Sequence, residues 1–383
     1  MDRDLTAMQP FTFRTVPDIR FGLGTTNGLP EWLAERGSRS VLIVTDAGVV
    51  KAGLAEPVAA SLRAAGLNVR VFADVTADPP DSVVQAAGDA ARGRDAVIGL
   101  GGGSPLDTAK LAALLAENQQ PLSEMYGVDQ VTADRLPLAL IPTTAGTGSE
   151  VTPIAIVTTG ETTKAGVVSP RLYADAAFLD PALMRGLPAH VTAATGVDAM
   201  VHAIEAYTSK RLKNPVSDAL AREALRLLSR AVPRAVENGG DETARGEAML
   251  GAMLAGQAFA NAPVAAVHAL AYPLGGQFHL PHGLTNSLVL PHVLRFNLDA
   301  ARHLYADLSG DVGGILGDAD SFVTCMASLC EAVGMRRRLS EFGVSHNHVP
   351  ALAEDAMKQT RLLQNNPREV TYDDARAIYE AAL

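Results

Sequence analysis

Long apolar runs, cysteine and positive charge are all scarce in this 383-residue chain, and each scarcity narrows what it can be. No uninterrupted apolar stretch approaches the ~20 residues a helix needs to span a bilayer. The N-terminal MDRDLTAMQPF is acidic and lacks the apolar core of a leader peptide. Both absences predict a soluble cytoplasmic protein with no membrane partner. Cysteine is limited to Cys325 and Cys330, set in an apolar, helix-like context. Their spacing suits neither a disulfide nor a zinc knuckle, so both are expected as reduced core residues. Lys and Arg number 32 against 42 Asp and Glu, a formal charge of −10 that argues against nucleic acid or an anionic membrane as partner. The run Arg336, Arg337, Arg338 reads as a solvated helix face. Internal repeats and low-complexity tracts are absent too.

What is present describes a folded chain in two parts. Hydrophobic residues make up 48% and charged residues 19%, enough for sizeable cores, and the length predicts two domains. In the first half, strand-like and helix-like segments alternate. SVLIVTD (40–46), NVRVFAD (68–74), DAVIGL (95–100) and LPLALIPTT (136–144) are the strand candidates. Helical stretches run to Ala65, over 82–92 and from Pro105. Such alternation implies a parallel sheet flanked by helices. AIVTT (155–159) reads as a strand or hairpin arm beyond the sheet core. After Asp180-Pro181 the pattern changes to Ala/Leu periodicity, as in ALAREALRLLSRAV (219–232) and GEAMLGAMLAGQAF (246–259). The expectation is therefore an α/β domain over 1–182 and an all-helical domain over 183–383.

GLGGGSPLDTAK (99–110) joins a strand to a helix. Its three consecutive glycines permit positive φ and close backbone approach. Ser104 is placed to cap the helix and Pro105 to occupy its first position. Exposed N–H groups and the helix dipole would then favour a pyrophosphate. The motif is neither GxGxxG nor a Walker loop, and a plain strand–turn–helix junction is the competing reading. Asp46 ends the first strand of the alternation. A carboxylate there can accept from two ribose hydroxyls and repel a 2′-phosphate, favouring NAD over NADP, or it can merely cap a turn. PTTAGTGSEVT (142–152) is a second polar glycine loop, with Thr143, Thr144 and Thr147 as hydroxyl donors.

Asp198 and His202 are four apart in VDAMVHAIEAY, so a helix presents both on one face. His268 and His282 bracket HALAYPLGGQFHLPH. One carboxylate and three imidazoles suit a divalent first-row metal. Spacing alone leaves the alternative of satisfied core histidines open. His282, between Pro281 and Gly283, reads as a loop or helix start that aims a side chain.

These segments, with DPALMRGLPAHVTAATGVDAMVHAIEAY and HALAYPLGGQFHLPHGLTNSLVLPHVLRFN, resemble the iron-containing (group III) alcohol dehydrogenase family. The resemblance runs almost end to end, from FGLG (21–24) to NPREVTYDDARAIYEAAL. It implies an N-terminal dinucleotide-binding α/β domain, a helical C-terminal domain, and cofactor and metal in the cleft between them. It carries the metal-ligand positions onto Asp198, His202, His268 and His282. Cofactor contacts fall on Asp46, Gly102, Gly103, Ser104, Asp107, Thr143, Thr144, Thr152 and Lys164, with Leu183 and Leu187 near the nicotinamide. The activity implied is reversible hydride transfer between NAD(H) and an alcohol or aldehyde, by a homodimer or higher oligomer. The family name implies Fe2+, whereas intrinsic affinity favours Zn2+.

One position departs from the family pattern. Many members carry a second histidine four residues after the first of the later pair, where this chain has Tyr272. A phenol titrates far less readily than imidazole near neutrality, which puts a histidine proton relay here in doubt and leaves His279 as the alternative shuttle. Ile154, Phe259, Tyr272 and Phe278 are expected to line an apolar substrate pocket. A maleylacetate reductase-like or hydroxyacid–oxoacid transhydrogenase-like enzyme is the nearest rival. The intact quartet counts against the reductase branch, which tends to lack it. A dehydroquinate synthase-type lyase would call for more basic residues near the ligands, and a non-catalytic NAD sensor would not need four of them.

Overall fold

Runs of β-branched and aliphatic residues long enough for a strand, and too short for a helix, build the first half of the chain. The structure, a computed structural model, describes residues 10–160, 163–335 and 337–383. The N-terminal segment read above as lacking a leader falls largely outside the described residues, as does Arg336. Contacts divide the chain into two units, Thr15–Gly186 and Leu187–Leu383, the latter including the described residues up to Arg14.

In the first unit the elements follow in the order β1 (Ile19–Phe21), α1 (Leu29–Ala34), β2 (Ser40–Asp46), α2 (Ala47–Lys51), α3 (Ala55–Ala64), β3 (Asn68–Val75), α4 (Asp81–Ala91), β4 (Ala96–Gly101), α5 (Gly103–Glu117), β5 (Gly127–Val128), β6 (Leu138–Pro142), β7 (Ile154–Thr159), β8 (Thr163–Val168) and β9 (Ala176–Leu179). Six strands form a parallel sheet in the order β1-β9-β6-β4-β2-β3. Val41–Val44 of β2 and Leu138–Ile141 of β6 are fully buried. Both faces of these central strands are covered, which is why they read as continuous apolar runs rather than alternating ones. Trp32, Val41, Ile43, Ile98, Ile141 and Phe178 belong to one core cluster; Leu111, Leu114, Met125 and Val157 belong to another. The AIVTT segment is β7, which pairs antiparallel with β8 in a separate three-stranded sheet completed by β5. The segment before Val41 supplies β1, the edge strand beside β9.

The second unit is helical among the described residues: α6 (Ala189–Thr208), α7 (Pro215–Glu237), α8 (Glu242–Asn261), α9 (Ala266–Phe278), α10 (His282–Ser309), α11 (Ala319–Ala332), α12 (Val349–Met357), α13 (Thr360–Leu363) and α14 (Tyr372–Ala382). Asn214 caps α7 through Ser217 N with Pro215 in the first turn, and Asp241 caps α8 through Ala244 N. These side chains satisfy amides that a helix start leaves without partners. Cys325 and Cys330 are both free thiols, and burial pushes Cys330 up to about 12. Arg337 pairs with Glu341 at the surface. No single helix among the described residues is long and apolar enough to cross a membrane.

Candidate metal centre and cofactor loops

Three helices of the second unit each contribute to one cluster. α6 carries Asp198 and His202 one turn apart, α9 carries His268, and His282 is the first residue of α10. One donor atom from each of the four lies within 4.8 Å of the others. Asp198 Oδ1 is 3.9 Å from His202 Nε2, 3.8 Å from His268 Nε2 and 3.6 Å from His282 Nε2. Asp198, His202 and His268 are buried, while the His282 side chain is 39% exposed, so the cluster opens on one side. Catalytic metal sites keep such an open position. Burial by itself would raise the Asp198 carboxyl; His202, His282, His268 and the Asn286 amide outweigh it and hold the group below its usual range.

Two further residues shape the cluster. Glu205 follows His202 on the same face of α6, and its carboxylate accepts from Ala265 N at 2.9 Å and Val267 N at 2.6 Å. It also meets His268 Nδ1 at 2.6 Å. A carboxylate there fixes the imidazole tautomer with its proton on Nδ1, leaving the Nε2 lone pair for the cluster. The second residue is Gly283. A Cβ at that position would lie 2.3 Å from the carbonyl oxygen of Ala194. Only glycine lets the first turn of α10 come this close to α6, one turn before Asp198, and thereby delivers His282.

Aromatic rings border the cluster. Phe259 stacks on His202 with centroids 4.3 Å apart, and His202 stacks on His268 at 4.8 Å. Tyr272 stands 5.9 Å from His282 and 6.5 Å from His268, centroid to centroid. Two further residues singled out from the sequence stand at the end of α9. His279 caps the end of α9 in the left-handed region (φ 54°), with its side chain exposed and outside the four-residue cluster. It opens the three-residue turn that joins α9 to α10. Phe278 packs edge-on against His348 at 5.1 Å, not against the cluster rings among the described contacts. It lies six residues beyond Tyr272, too far along α9 to share its face.

The first unit holds the glycine loops. α5 begins at Gly103 with Gly102 as its cap and no capping side chain. Ser104, expected as the cap, lies inside the first turn, and its Oγ accepts from Asp78 N at 3.3 Å. A glycine cap leaves the first-turn amides without side-chain partners, which suits an anion. Gly101 has φ 151°, and a Cβ there would meet Pro105 at 2.7 Å and Asp46 Oδ2 at 3.5 Å. The Asp46 carboxylate therefore flanks the loop while its Oδ1 caps α2 through Val49 N at 2.8 Å. Thr143 N bonds Gly101 O at 2.9 Å, and Thr144 and Thr147 lie against Gly102 and Gly103. The two polar loops thus form one surface.

Beneath that surface sits Lys110, fully buried, a residue that sequence reasoning did not single out. Its Nζ donates to Ile154 O at 2.6 Å, Ser149 Oγ at 2.8 Å, Thr152 Oγ1 at 3.3 Å and Asp107 Oδ1 at 3.3 Å. Burial lowers Lys110 and Asp107 opposes that shift. Asp107 accepts from Ser149 Oγ at 2.5 Å and from Ile156 N at 2.9 Å. Asp107 and Thr152 thus brace the loops from within. Lys164 reaches Asp78 at 2.5 Å and Thr158 Oγ1 at 3.3 Å. Leu183 packs on the sheet core; Leu187, already in the second unit, accepts through its carbonyl oxygen from Arg245 of the same unit. Glu205, Asn286 and Lys110 each stood at helical spacing from a residue already singled out; that spacing was their only signal.

Known proteins fit this picture along the whole chain. Residues 17–181 match the iron-containing alcohol dehydrogenase family, and residues 192–383 match the C-terminal region of the Fe-containing alcohol dehydrogenase family. The chain is 42% identical to long-chain-alcohol dehydrogenase 1 of Geobacillus thermodenitrificans (strain NG80-2), over 96% of this chain and 95% of that protein. A crystal structure of 1,3-propanediol oxidoreductase superposes with a TM-score of 0.94 at 35% identity, covering 98% of this chain and all of that one. Sulfoacetaldehyde reductase from Bifidobacterium kashiwanohense in complex with NAD+ superposes with a TM-score of 0.89 at 28% identity, covering 98% and 99% of the two chains. The protein belongs to the iron-containing alcohol dehydrogenase family. It is an oxidoreductase acting on CH–OH groups.

Proposed function

We propose that the protein is a metal-dependent, NAD-linked dehydrogenase that interconverts a neutral, apolar alcohol and its aldehyde. The carrying observation is the convergence of Asp198, His202, His268 and His282 within 4.8 Å, with Glu205 behind His268. Three imidazole nitrogens and one carboxylate fit a divalent cation, with Fe2+ the resident ion and Zn2+ able to take its place. Bound there, the cation supplies Lewis acidity toward an alcohol or carbonyl oxygen, and NAD supplies the two-electron acceptor.

The chain's own residues do the rest. The amides of Gly102, Gly103 and Ser104 at the start of α5 receive the pyrophosphate, Asp46 accepts from the ribose hydroxyls, and Lys164 and the loop threonines add polar contacts. Asp107 and Thr152 hold those loops in shape. Leu183 and Leu187 supply apolar contact for the nicotinamide. Phe259 and Tyr272 keep water from the ligand cluster and favour an uncharged substrate. Tyr272 carries a hydroxyl that can donate a hydrogen bond, so it orients substrate in place of a histidine relay. A homodimer or higher oligomer in the cytoplasm is the expected assembly.

The test is NADH absorbance across a panel of alcohols, using enzyme loaded with iron or with zinc. Turnover of neutral primary alcohols, higher with iron and lost on chelation, is expected. Full activity of metal-stripped protein on a keto acid would overturn the reading in favour of a maleylacetate reductase-like enzyme.

A further inference from the structure

Asn286 stands one turn after His282 on α10 and is completely buried. Its Nδ2 donates to Asp198 Oδ1 at 2.5 Å and lies 3.3 Å from both His268 Nε2 and His282 Nε2. One amide group thus touches a ligand atom from each of α6, α9 and α10. Its Oδ1 is buried and has no hydrogen-bond partner among the described residues. An acceptor withdrawn from water and left unpaired is costly, and native proteins keep few of them.

The electrostatics of the amide explain why this oxygen is kept. An N–H dipole aimed at a carboxylate and two imidazole lone pairs is favourable while those atoms are the local negative charge. A divalent cation shared by the same atoms reverses the field, and the N–H then faces positive charge. The terminal torsion of asparagine is broad and close to two-fold. Turning the amide end for end exchanges nitrogen for oxygen with little steric change.

We propose that Asn286 is a positioning residue of the metal centre. Its N–H aligns Asp198, His268 and His282 in advance of a cation, and its carbonyl oxygen turns toward the cation afterwards. By this means Asn286 sets how tightly the centre holds its ion. The proposal rests on reading the quartet as a metal site.

Zinc affinity, measured by competition with a chromophoric chelator on the full-length protein, tests it alongside melting temperatures with and without zinc. Outer partners of metal ligands typically govern affinity by ~10–100-fold, so Asn286→Ala and Asn286→Leu should weaken zinc binding within that range and shrink the zinc-induced rise in melting temperature. Asn286→Asp keeps the shape and offers oxygen only. It should melt lower without zinc, because two carboxylates then face each other, and bind zinc at least as tightly as the unaltered protein. Should the alanine variant fail to fold, Asn286→Asp and Asn286→Leu still carry the test. Unchanged zinc affinity in the alanine or leucine variant would overturn the proposal, as would an aspartate variant that binds as weakly as leucine. A His268→Ala control separates the two levels. If it still binds zinc, the metal-centre reading falls; if it loses zinc while the Asn286 variants do not, only the role of Asn286 falls.

Discussion

The glycine loops of the first unit and the four-residue cluster of the second are built in opposite ways. At the loops, a glycine cap leaves the start of α5 without a capping side chain, and side chains such as Lys110 and Asp107 hold the backbone in place from below. At the cluster, four side chains face inward from three helices, and the supporting groups are a carboxylate, an amide and a missing Cβ. Backbone recognition spreads its energy over many weak donors. Side-chain ligation concentrates it in a few strong ones. Single substitutions should therefore act gradually at the loops and abruptly at the cluster.

The largest expected effect is that of His268→Ala. It removes a ligand and strands Glu205 without its imidazole partner, so metal retention and turnover should both be lost while circular dichroism stays helical. Elemental analysis and NADH assays check this, and retained metal with normal turnover would break the contrast between the regions. Gly283→Ala comes next. Its methyl group would press on the Ala194 carbonyl and push the start of α10 away from Asp198. Backbone displacements of this kind cost about 1–3 kcal/mol, and zinc affinity should fall at least tenfold even though no ligand has changed. An unaltered affinity would show that α10 reaches the cluster without this close approach.

At the loops the effects should be smaller. Asp46→Ala is expected to raise the KM for NAD about tenfold, leave kcat near its original value and narrow the preference for NAD over NADP; loss of the α2 cap should cost ~1 kcal/mol of stability. A collapse of kcat would place Asp46 nearer the chemistry than its position beside Gly101 does. The smallest effect concerns Glu150, a buried member of the second glycine loop, where burial pushes the carboxyl up to about 7. Between its ordinary value of 4.5 and 7 the folded chain holds a proton that the unfolded chain releases. The stability this group contributes is thus present at low pH and lost as pH rises through that window. Glu150→Gln should remove that slope and make the protein more stable above pH 7 by about 1–3 kcal/mol. Parallel melting curves of the two proteins from pH 5 to 8 would show the slope unchanged if the carboxyl titrates normally.

Much of the architecture was legible because it is written in contiguous segments. β2, β4 and β6 are apolar runs buried on both faces, and the Ala/Leu periodicity of α7 and α8 survives without tertiary context. β9 escaped notice because four residues carry too little pattern, and only its pairing with β1 and β6 makes it a strand. Ser104 was misplaced as the cap because a hydroxyl at a helix start ordinarily takes that role, whereas here Gly102 takes it. His279 looked like a proton shuttle from its closeness in sequence to His282. Positive φ places it in the turn that ends α9, and no residue count reveals that conformation.

The sequence by itself determined the class of chemistry. Donor type is a property of the side chain, so an aspartate and three histidines can offer metal donors before any fold is known, and the order of the motifs, by its resemblance to one family, singles them out from core histidines. The tertiary structure alone decided which groups support those donors. Glu205, Asn286, Gly283 and Lys110 act through distances of a few ångströms between segments far apart in the chain, and only packing sets those distances.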